Sequence, residues 1–461
     1  MCAKTYCIKT FGCQMNDHDS LKISSTLEKM GYEPTLSPDQ ADLMLINTCT
    51  VREKAHHKAF SEIGKAVALK KGTFPRNFDS FSKSVKISRE RPLIAICGCV
   101  AQEEGAKLLS RFPEIDIIFG PDQIDKLPQL LEMNRETGRP ALATELVNSA
   151  GDYHFLDAIS ATQIKGGQAY VTIMKGCNSQ CSYCIVPKVR GAEVYRPWRE
   201  IVQEVRYLVE KGCREVTLLG QNVNSYGQNA PDGIGFGKLI RLVSDNTDIE
   251  RIRFTSPHPK DVRDDLIEEY AANPKLCSHI HLPLQSGSDT VLRRMRRAYN
   301  CRTYRSKIEA LRQAKPGIAI TTDMIVGFCG ETDAEFQETL DFMKEIRFDQ
   351  MYAFKYSPRP DTEAFALPDS VEQHIKEERL AELLTFQAKI SHDVNQAYVG
   401  KIESVLVEGC DKRGKTKSMG RSTGNKIINF SGQGVPVGAI VDVAITRAFA
   451  HSLEGIWKKN L

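Results

Sequence analysis

The stretch Cys177-Asn-Ser-Gln-Cys181-Ser-Tyr-Cys184 decides how the middle of this chain is interpreted. It is a Cx3Cx2C sequence directly after a predicted strand, so three thiols lie on one tight loop. Such a loop can hold three irons of a [4Fe–4S] cluster and leave the fourth iron open to another ligand. A structural zinc site usually has four protein ligands, and no further Cys or His lies nearby at paired spacing. Zinc binding, or a redox pair of Cys181 and Cys184, is the alternative.

Six strand-and-helix units extend from this loop towards the C-terminus. They predict a partial parallel barrel, with its chemistry at the C-terminal ends of the strands. The predicted strands are 169–174, 215–219, 251–255, 279–284, 318–326 and 351–356, followed by a long helix at 372–397. Residues just after these strands are candidate cofactor contacts because of their shared position. They are Gly220, Gln221, Ser256, Gln285, Gly327 and Glu331.

The first 135 residues predict a second α/β fold. Short apolar strands alternate with helices, which is typical of a doubly wound parallel sheet. Cys13, Cys49 and Cys99 each follow a predicted strand. Because ligands collect outside the carboxyl ends of the strands in such sheets, these three thiols can converge despite their wide spacing. We therefore expect a second three-thiolate site. Cys7 and Cys97 lie inside strands and are expected in the core.

Length and cysteine content narrow the function classes. The chain has 461 residues, 14 of them Cys. No apolar run reaches the roughly 18 residues that a membrane span requires, and the N-terminus shows no secretory signal pattern. We expect a cytoplasmic protein with no membrane partner. In a reducing compartment, many cysteines favour metal, cluster or catalytic roles over disulfides.

The net charge of +4 is unevenly distributed. Residues 398–461 hold 10 Lys and Arg against 5 Asp and Glu, which leaves 52 against 53 elsewhere. Short β-runs with glycine turns predict a small β-barrel there, and its cations suit phosphate binding. These cations are Lys401, Lys412, Arg413, Lys415, Lys417, Arg421 and Lys426. A second basic segment, 70–91, is interpreted as an exposed insert.

The motifs together resemble known families. The Cx3Cx2C loop, with Tyr183 inside its last pair, resembles that of the radical S-adenosylmethionine (SAM) enzymes. Nearly the whole chain resembles the methylthiotransferases, specifically those of the MiaB type, which act on tRNA. The motifs that carry this second resemblance are Phe11-Gly-Cys-Gln-Met-Asn16, Asn47-Thr-Cys-Thr-Val-Arg-Glu-Lys-Ala55, Gly98-Cys-Val-Ala101, the cysteine loop through Pro187, Arg190-Gly191 and Gly420-Arg-Ser-Thr-Gly-Asn-Lys-Ile-Ile-Asn-Phe430.

The resemblance implies an α/β chain of three domains. They are an N-terminal methylthiotransferase domain at 1–135, a linker at 136–167, a radical SAM domain with a partial (β/α)6 barrel at 168–396 and a TRAM-like RNA-binding barrel at 397–461. The implied cofactors are SAM and two [4Fe–4S] clusters. Cys177, Cys181 and Cys184 would ligate the cluster that cleaves SAM, with Tyr183 and the strand-end residues near the cofactor. Cys13, Cys49 and Cys99 would ligate an auxiliary cluster that supplies sulfur.

The implied reaction is methylthiolation of C2 of N6-dimethylallyladenosine next to the anticodon of tRNA. Its partners would be the tRNA anticodon loop and an electron donor, and we expect a monomer. Two related substrates are the alternatives: threonylcarbamoyladenosine in tRNA and an aspartate of a ribosomal protein. The alternative outside enzymes is an RNA-binding protein whose cysteines hold zinc.

The chain departs from the family pattern at two places. The basic insert at 70–91 lengthens the spacing between Cys49 and Cys99. Cys329 stands where the family usually has proline, in Val326-Gly-Phe-Cys-Gly-Glu-Thr332. Neither change removes a proposed ligand, but the second predicts a less rigid loop with an extra thiol near the cofactor.

Overall fold

A computed structural model describes residues 3–50, 53–73, 91–149, 151, 153, 155, 164–228, 233–410, 417–432 and 434–459, without the side chains of 53–55. The chain divides into two compact units. The first unit consists of Met1–Ser160, Lys175–Asn178 and Ile185–Val194, and the second of Ala161–Met174, Ser179–Cys184 and Tyr195–Leu461. Among the described residues, no helix combines the length and the hydropathy needed to cross a bilayer.

The first unit contains the predicted parallel sheet. In its described part, six strands pair in the order β2-β1-β3-β4-β5-β6, all parallel. They are β1 Lys4–Thr10, β2 Tyr32–Pro34, β3 Leu43–Thr48, β4 Leu93–Gly98, β5 Ile117–Phe119 and β6 Ala141–Ala143. The doubly wound sheet is therefore confirmed. The edge strands β2 and β6 were not predicted, and β6 falls in the segment predicted as a linker. Three residues are too few to show a strand pattern.

Helices cover both faces of this sheet. They are α1 Gln14–Lys29, α2 Glu53–Lys71, α3 Cys99–Glu104, α4 Lys107–Arg111, α5 Leu127–Thr137 and α6 Val186–Arg190. Leu43 and Leu45 pack into the core on one face, and Met44 and Ile46 into the core on the other. Burial on both faces explains why β3 is a continuous apolar run rather than an alternating one. Of the basic insert, residues 74–90 lie outside the described residues.

The second unit contains the partial barrel. Its six strands form two parallel sheets, ordered β11-β10-β7 and β12-β13-β14. The strands are β7 Gln168–Thr172, β10 Glu215–Leu219, β11 Arg251–Phe254, β12 His279–His281, β13 Ala319–Val326 and β14 Gln350–Lys355. The two short strands β8 Met174–Lys175 and β9 Val194–Tyr195 pair with each other. All six barrel strands were predicted, but β12 ends at His281, earlier than expected.

Helices pack around these strands and build one large apolar core. They are α7 Trp198–Glu210, α8 Phe236–Asn246, α9 Asp264–Ala272, α10 Asp289–Arg294, α11 Cys301–Ala314, α12 Asp333–Ile346 and α13 Gln373–Gln396. The long helix predicted at 372–397 corresponds to α13. Thr332 caps α12 through a reciprocal pair of hydrogen bonds with Glu335, which fixes the start of the helix directly after the loop that follows β13.

The C-terminal segment is a closed five-stranded barrel in the order β15-β16-β17-β19-β18. Its strands are β15 Ile402–Cys410, β16 Ser418–Ser422, β17 Ile427–Ser431, β18 Ile440–Ala448 and β19 Leu453–Trp457. The strand β16 was not predicted because Ser-Met-Gly-Arg-Ser has no apolar alternation. Gly420 is required at its centre, since a Cβ there would lie 2.1 Å from the carbonyl oxygen of Leu406.

Two arginines of β11 join this small barrel to the partial barrel within the second unit. Arg251 donates to the Ser404 carbonyl at 2.9 Å, and Arg253 donates to the Ser422 carbonyl at 2.6 Å. Arg253 also pairs with the buried Glu215 at 2.9 Å. Buried cations that satisfy backbone carbonyls make this a specific junction rather than a flexible tether.

Candidate active site

Three thiols stand at the C-terminal edge of the N-terminal sheet. Cys13 follows β1 at the start of α1, Cys49 follows β3, and Cys99 begins α3 directly after β4. These strands are neighbours in the sheet, so their ends bring the three cysteines together as predicted. A hydrogen bond with the Cys49 thiol, aided by the charge of Arg190, lowers the pKa of Cys13 to about 6. Burial raises the pKa of Cys99.

Two glycines allow these cysteine loops to approach one another. Gly12 has a φ of 133°, and a Cβ there would lie 2.4 Å from the Cβ of Cys49. Gly98 has a φ of 87°, and its Cβ would lie 2.4 Å from the carbonyl oxygen of Thr48. Any larger residue at either position would push the loops apart.

Two buried asparagines fix the same loops. Asn16 donates to the side-chain oxygen of Asn47 at 2.9 Å and to the Thr48 carbonyl at 2.8 Å. Asn47 donates back to the Asn16 carbonyl at 2.8 Å. Both side chains are fully buried, so the start of α1 and the end of β3 form one hydrogen-bonded block. The sequence shows both residues inside cysteine motifs, but their pairing depends on the fold.

A buried ion pair lies behind the thiols. Arg190, the last residue of α6, pairs with Asp19 of α1 at 2.8 Å, and both side chains are 6% exposed. Arg190 also hydrogen-bonds to the thiol of Cys99. A cation beside thiols stabilises their ionised form, which is the form that binds metal. Arg190 was part of a quoted motif, but its contact with Cys99 was not foreseen.

The Cx3Cx2C loop is held by backbone hydrogen bonds. In the first unit, the Cys177 amide donates to the Gly191 carbonyl at 3.1 Å. In the second unit, the Cys184 amide donates to the Cys181 carbonyl at 3.1 Å, and Arg297 donates to the Cys181 sulfur at 3.0 Å. Each of the three thiols is partly exposed. Thiols on a tight, accessible loop fit ligation of a cluster that a substrate must reach.

The predicted cofactor residues lie at the strand ends, two of them in an uncommon conformation. Ser256, after β11, has a φ of 60°, and Gln285, after β12, has a φ of 76°. Left-handed backbone at non-glycine residues is strained and concentrates at functional sites. The Gln285 amide donates to the Asp323 carbonyl at 2.9 Å, which ties this turn to β13. Tyr183 packs edge-on against Phe328 with ring centroids 6.4 Å apart.

The remaining predicted cofactor residues shape the loops. Gly220, after β10, packs so closely that a Cβ would lie 2.5 Å from Met174, and the next residue, Gln221, is partly buried. After β13, the Gly327 amide donates to Glu331 at 2.9 Å. Arg379 pairs with Glu331 at 2.9 Å. Glu331 therefore organises the loop from within, and burial raises its pKa.

Cys329 lies in the same loop and is buried. It packs with Phe328, Tyr356 and Ala364 and is 4% exposed. Its thiol fills the apolar space, and Phe328 and Tyr356 pack edge-on beside it with ring centroids 5.0 Å apart. The thiol predicted near the cofactor is therefore a packing residue, and neighbouring side chains supply the rigidity that proline would have supplied.

One face of β12, β13 and β14 carries polar and aromatic side chains instead of core residues. We call these residues, His281, Thr321, Asp323, Tyr352 and Phe354, the open face. His281 bonds to Thr321 at 2.9 Å and lies 3.4 Å from the Asp323 carboxylate. Its ring meets that of Tyr352 edge-on at 5.9 Å. Tyr352 is 48% exposed and Phe354 37%, so flat aromatic surface is available beside hydrogen-bonding groups.

Comparisons with known proteins agree with this arrangement. Three family models match: an uncharacterized protein family, UPF0004, at residues 5–120, the radical SAM superfamily at 171–343 and the TRAM domain at 396–458. A tRNA-2-methylthio-N(6)-dimethylallyladenosine synthase of Geobacter sulfurreducens is 43% identical and covers 97% of this chain and 96% of its own. The synthase of Ralstonia pickettii is also 43% identical with the same coverage. The chain belongs to this synthase family.

Solved structures show the same fold at low identity. The radical SAM methyltransferase TsrM of Kitasatospora setae gives a TM-score of 0.54 at 11% identity, covering 89% of this chain and 79% of its own. The cobalamin-dependent enzyme OxsB gives 0.52 at 13% identity, covering 84% and 56%. The synthase family resemblance is thus confirmed, and the chain is an enzyme of the radical SAM superfamily.

Synthases of this family use SAM and two [4Fe–4S] clusters, and the thiols of this chain fit that requirement. There are two sets of three cysteines, each on loops at strand ends. No three His, Cys, Asp or Glu side chains within the described ranges converge closely enough for a single metal ion. A cluster places each thiolate on a different iron, so its ligands are spaced more widely than those of one ion.

The basic residues predicted to bind RNA differ in their surroundings. Lys401 is exposed and lies over Tyr398, Lys417 pairs with Glu454, and Arg421 pairs with Glu408 at 3.0 Å while about a third of its side chain stays exposed. Lys426 is buried, 2.6 Å from Asp349 and 2.8 Å from Asn395. It holds the small barrel in place, and we remove it from the RNA-binding set. Lys412, Arg413 and Lys415 lie outside the described residues.

Proposed function

We propose that this enzyme converts N6-dimethylallyladenosine next to the anticodon of tRNA into its 2-methylthio derivative. The observation that carries the proposal is the presence of two separate three-thiol sets in a chain whose full-length relatives bear that name. When bound, SAM and the clusters supply the one-electron chemistry and the sulfur. A one-electron donor is needed to start each turnover, and the setting is the cytoplasm, with the enzyme as a monomer.

The two thiol sets have different roles in this proposal. Cys177, Cys181 and Cys184 hold the cluster that meets SAM, because their loop opens at the strand ends of the partial barrel, where such enzymes bind cofactors. Cys13, Cys49 and Cys99 hold the auxiliary cluster. Arg190 offsets the negative charge of these thiolates, and the asparagine pair keeps the loops in register.

The open face of β12–β14 is the proposed binding site for the target base. An exposed tyrosine offers a surface on which an unstacked purine can stack, as in other proteins that bind single-stranded RNA. The His281 and Asp323 side chains stand beside it and can hydrogen-bond to the edge of the base. In this proposal Tyr352 orients the adenine so that its C2 position faces the reactive groups.

The exposed cations of the small barrel are the proposed contact to the tRNA backbone. Lys401, Lys417 and Arg421 belong to this surface, together with Lys412, Arg413 and Lys415. Ion pairs such as that of Arg421 with Glu408 are partly exposed and therefore weak. Phosphate groups can replace the carboxylates at small cost.

Nucleoside analysis of cellular tRNA tests the proposed substrate. Bacterial cells that lack the gene for this chain should contain N6-dimethylallyladenosine and no 2-methylthio derivative, and an active copy should restore the derivative. A Cys177→Ala copy is the control and should not restore it. Restored methylthiolation of threonylcarbamoyladenosine, or of a ribosomal-protein aspartate, would contradict the proposal.

A further inference from the structure

Arg297 contacts the cysteine loop from behind, within the second unit. It follows α10 and is partly buried. One terminal nitrogen donates to the Cys181 sulfur at 3.0 Å and lies 3.4 Å from the Tyr183 hydroxyl. The other donates to the Pro283 carbonyl at 3.3 Å. The guanidinium therefore joins the cysteine loop to the end of the fourth barrel strand.

Tyr299 fixes the orientation of this guanidinium. Arg297 donates through Nε to the Tyr299 hydroxyl at 2.8 Å, and its charge lies 5.0 Å from the centre of the Tyr299 ring. That hydroxyl in turn donates to the Leu284 carbonyl at 2.8 Å. Because its nitrogens have partners in fixed directions, Arg297 presents one N–H to the sulfur with little freedom to move.

A cation in this position affects electron transfer. A [4Fe–4S] cluster with thiolate ligands becomes more negative when it accepts an electron. A nearby positive charge and an N–H···S hydrogen bond both stabilise that reduced form, and hydrogen bonds to the sulfurs are among the factors that set cluster potentials. The same bond also holds Cys181 in the orientation for ligation.

We infer that Arg297 is a positioning residue that holds Cys181 and makes the SAM-cleaving cluster easier to reduce by one electron. The electron comes from an external one-electron donor, such as dithionite in vitro. The inference rests on the proposed assignment of Cys177, Cys181 and Cys184 as ligands. It goes beyond that assignment because it gives a non-ligand residue a measurable effect on the cluster.

The test isolates one cluster. In a Cys13→Ala/Cys49→Ala/Cys99→Ala background, the remaining iron belongs to the Cx3Cx2C loop. Arg297→Gln and Arg297→Lys are compared with Arg296→Gln, which removes the same charge from the next residue in sequence. Arg296 is a matched control because its side chain is 53% exposed and pairs with Glu363 rather than with a cysteine. The readouts are iron content and the midpoint potential from a spectroscopic redox titration.

We expect Arg297→Gln to bind iron and to have a more negative midpoint potential, with at least a fivefold smaller reduced-to-oxidised ratio at a fixed donor potential. Arg297→Lys should fall between this variant and the background, and Arg296→Gln should match the background. Equal potentials for Arg297→Gln and Arg296→Gln would overturn the inference. So would a loss of iron in Arg297→Gln with an unchanged potential in Arg297→Lys, because the role would then be structural only. A background variant without iron would instead overturn the ligand assignment itself.

Discussion

The cysteines act through their immediate neighbours at the scale of single residues. Cys13, Cys49 and Cys99 lie close together because Gly12 and Gly98 leave no Cβ between their loops. Arg190 then places a cation against Cys99. The position of a thiol after a strand could be predicted from sequence, because parallel strands end at one edge of a sheet. The arginine and asparagine contacts could not, because they join residues far apart in the chain.

Alanine substitution should separate the two thiol sets. Cys13→Ala, Cys49→Ala or Cys99→Ala should abolish methylthiolation and leave SAM cleavage, because the loop that meets SAM is untouched. Cys177→Ala should abolish both. Product and 5′-deoxyadenosine are measured by mass spectrometry after reconstitution, and Cys410→Ala, an exposed cysteine of the small barrel, is the control. Full product formation by any of the first three variants would show that the residue is not a ligand.

Tyr352 should control binding of the target base. Tyr352→Leu should raise KM for an anticodon stem-loop about tenfold, because loss of a stacked aromatic costs roughly 1–3 kcal/mol per base. Tyr352→Phe retains the ring and should behave like the unsubstituted enzyme. Phe365→Leu, another exposed aromatic at 55%, is the control for lost surface area. A raised KM for SAM with an unchanged KM for RNA would place the cofactor, not the base, on Tyr352.

At the scale of elements, long apolar strands were predictable and short or polar ones were not. All six barrel strands and the helix α13 appear in the sequence as periodic patterns. The strands β2, β6 and β16 do not, because each is stabilised by its neighbours in the sheet rather than by its own residues. Lys426 shows the same limit, since its place in a charged segment suggested the surface, whereas its partner Asp349 lies 77 residues earlier.

The junction between the two barrels of the second unit should depend on Arg253. Arg253→Met removes bonds to the Ser422 and Thr423 carbonyls and leaves Glu215, 2% exposed, with a weaker partner. Breaking a buried pair in this way costs about 3–5 kcal/mol. The urea midpoint should fall clearly, whereas Arg214→Met, whose partner Glu250 is exposed, should change it little. Equal midpoints would show that the junction does not depend on Arg253.

The charge distribution gives the whole molecule its expected affinity for RNA. The excess of cations lies in residues 398–461, and the rest of the chain is nearly neutral. Since that segment is the only strongly basic domain in the sequence, it should govern the salt dependence of tRNA binding.

Removing three of these cations should weaken tRNA binding and flatten its salt dependence. A Lys412→Ala/Arg413→Ala/Lys415→Ala variant should lower the slope of log K against log salt by about two, from roughly 0.7 per lost contact to single-stranded RNA. A variant with Lys211, Lys238 and Lys344 changed to Ala, all exposed lysines of the partial barrel, has the same charge loss and should keep the slope. Equal slopes for the two triple variants would contradict the proposed RNA surface.

The central claim is that two separate cysteine sets each hold one cluster, and iron content tests it most directly. Anaerobically reconstituted enzyme should bind about eight irons per chain, since each [4Fe–4S] cluster contains four. The Cys13→Ala/Cys49→Ala/Cys99→Ala variant and the Cys177→Ala/Cys181→Ala/Cys184→Ala variant should each bind about four. Zinc in place of iron in the unsubstituted chain, or about eight irons in either variant, would contradict the claim.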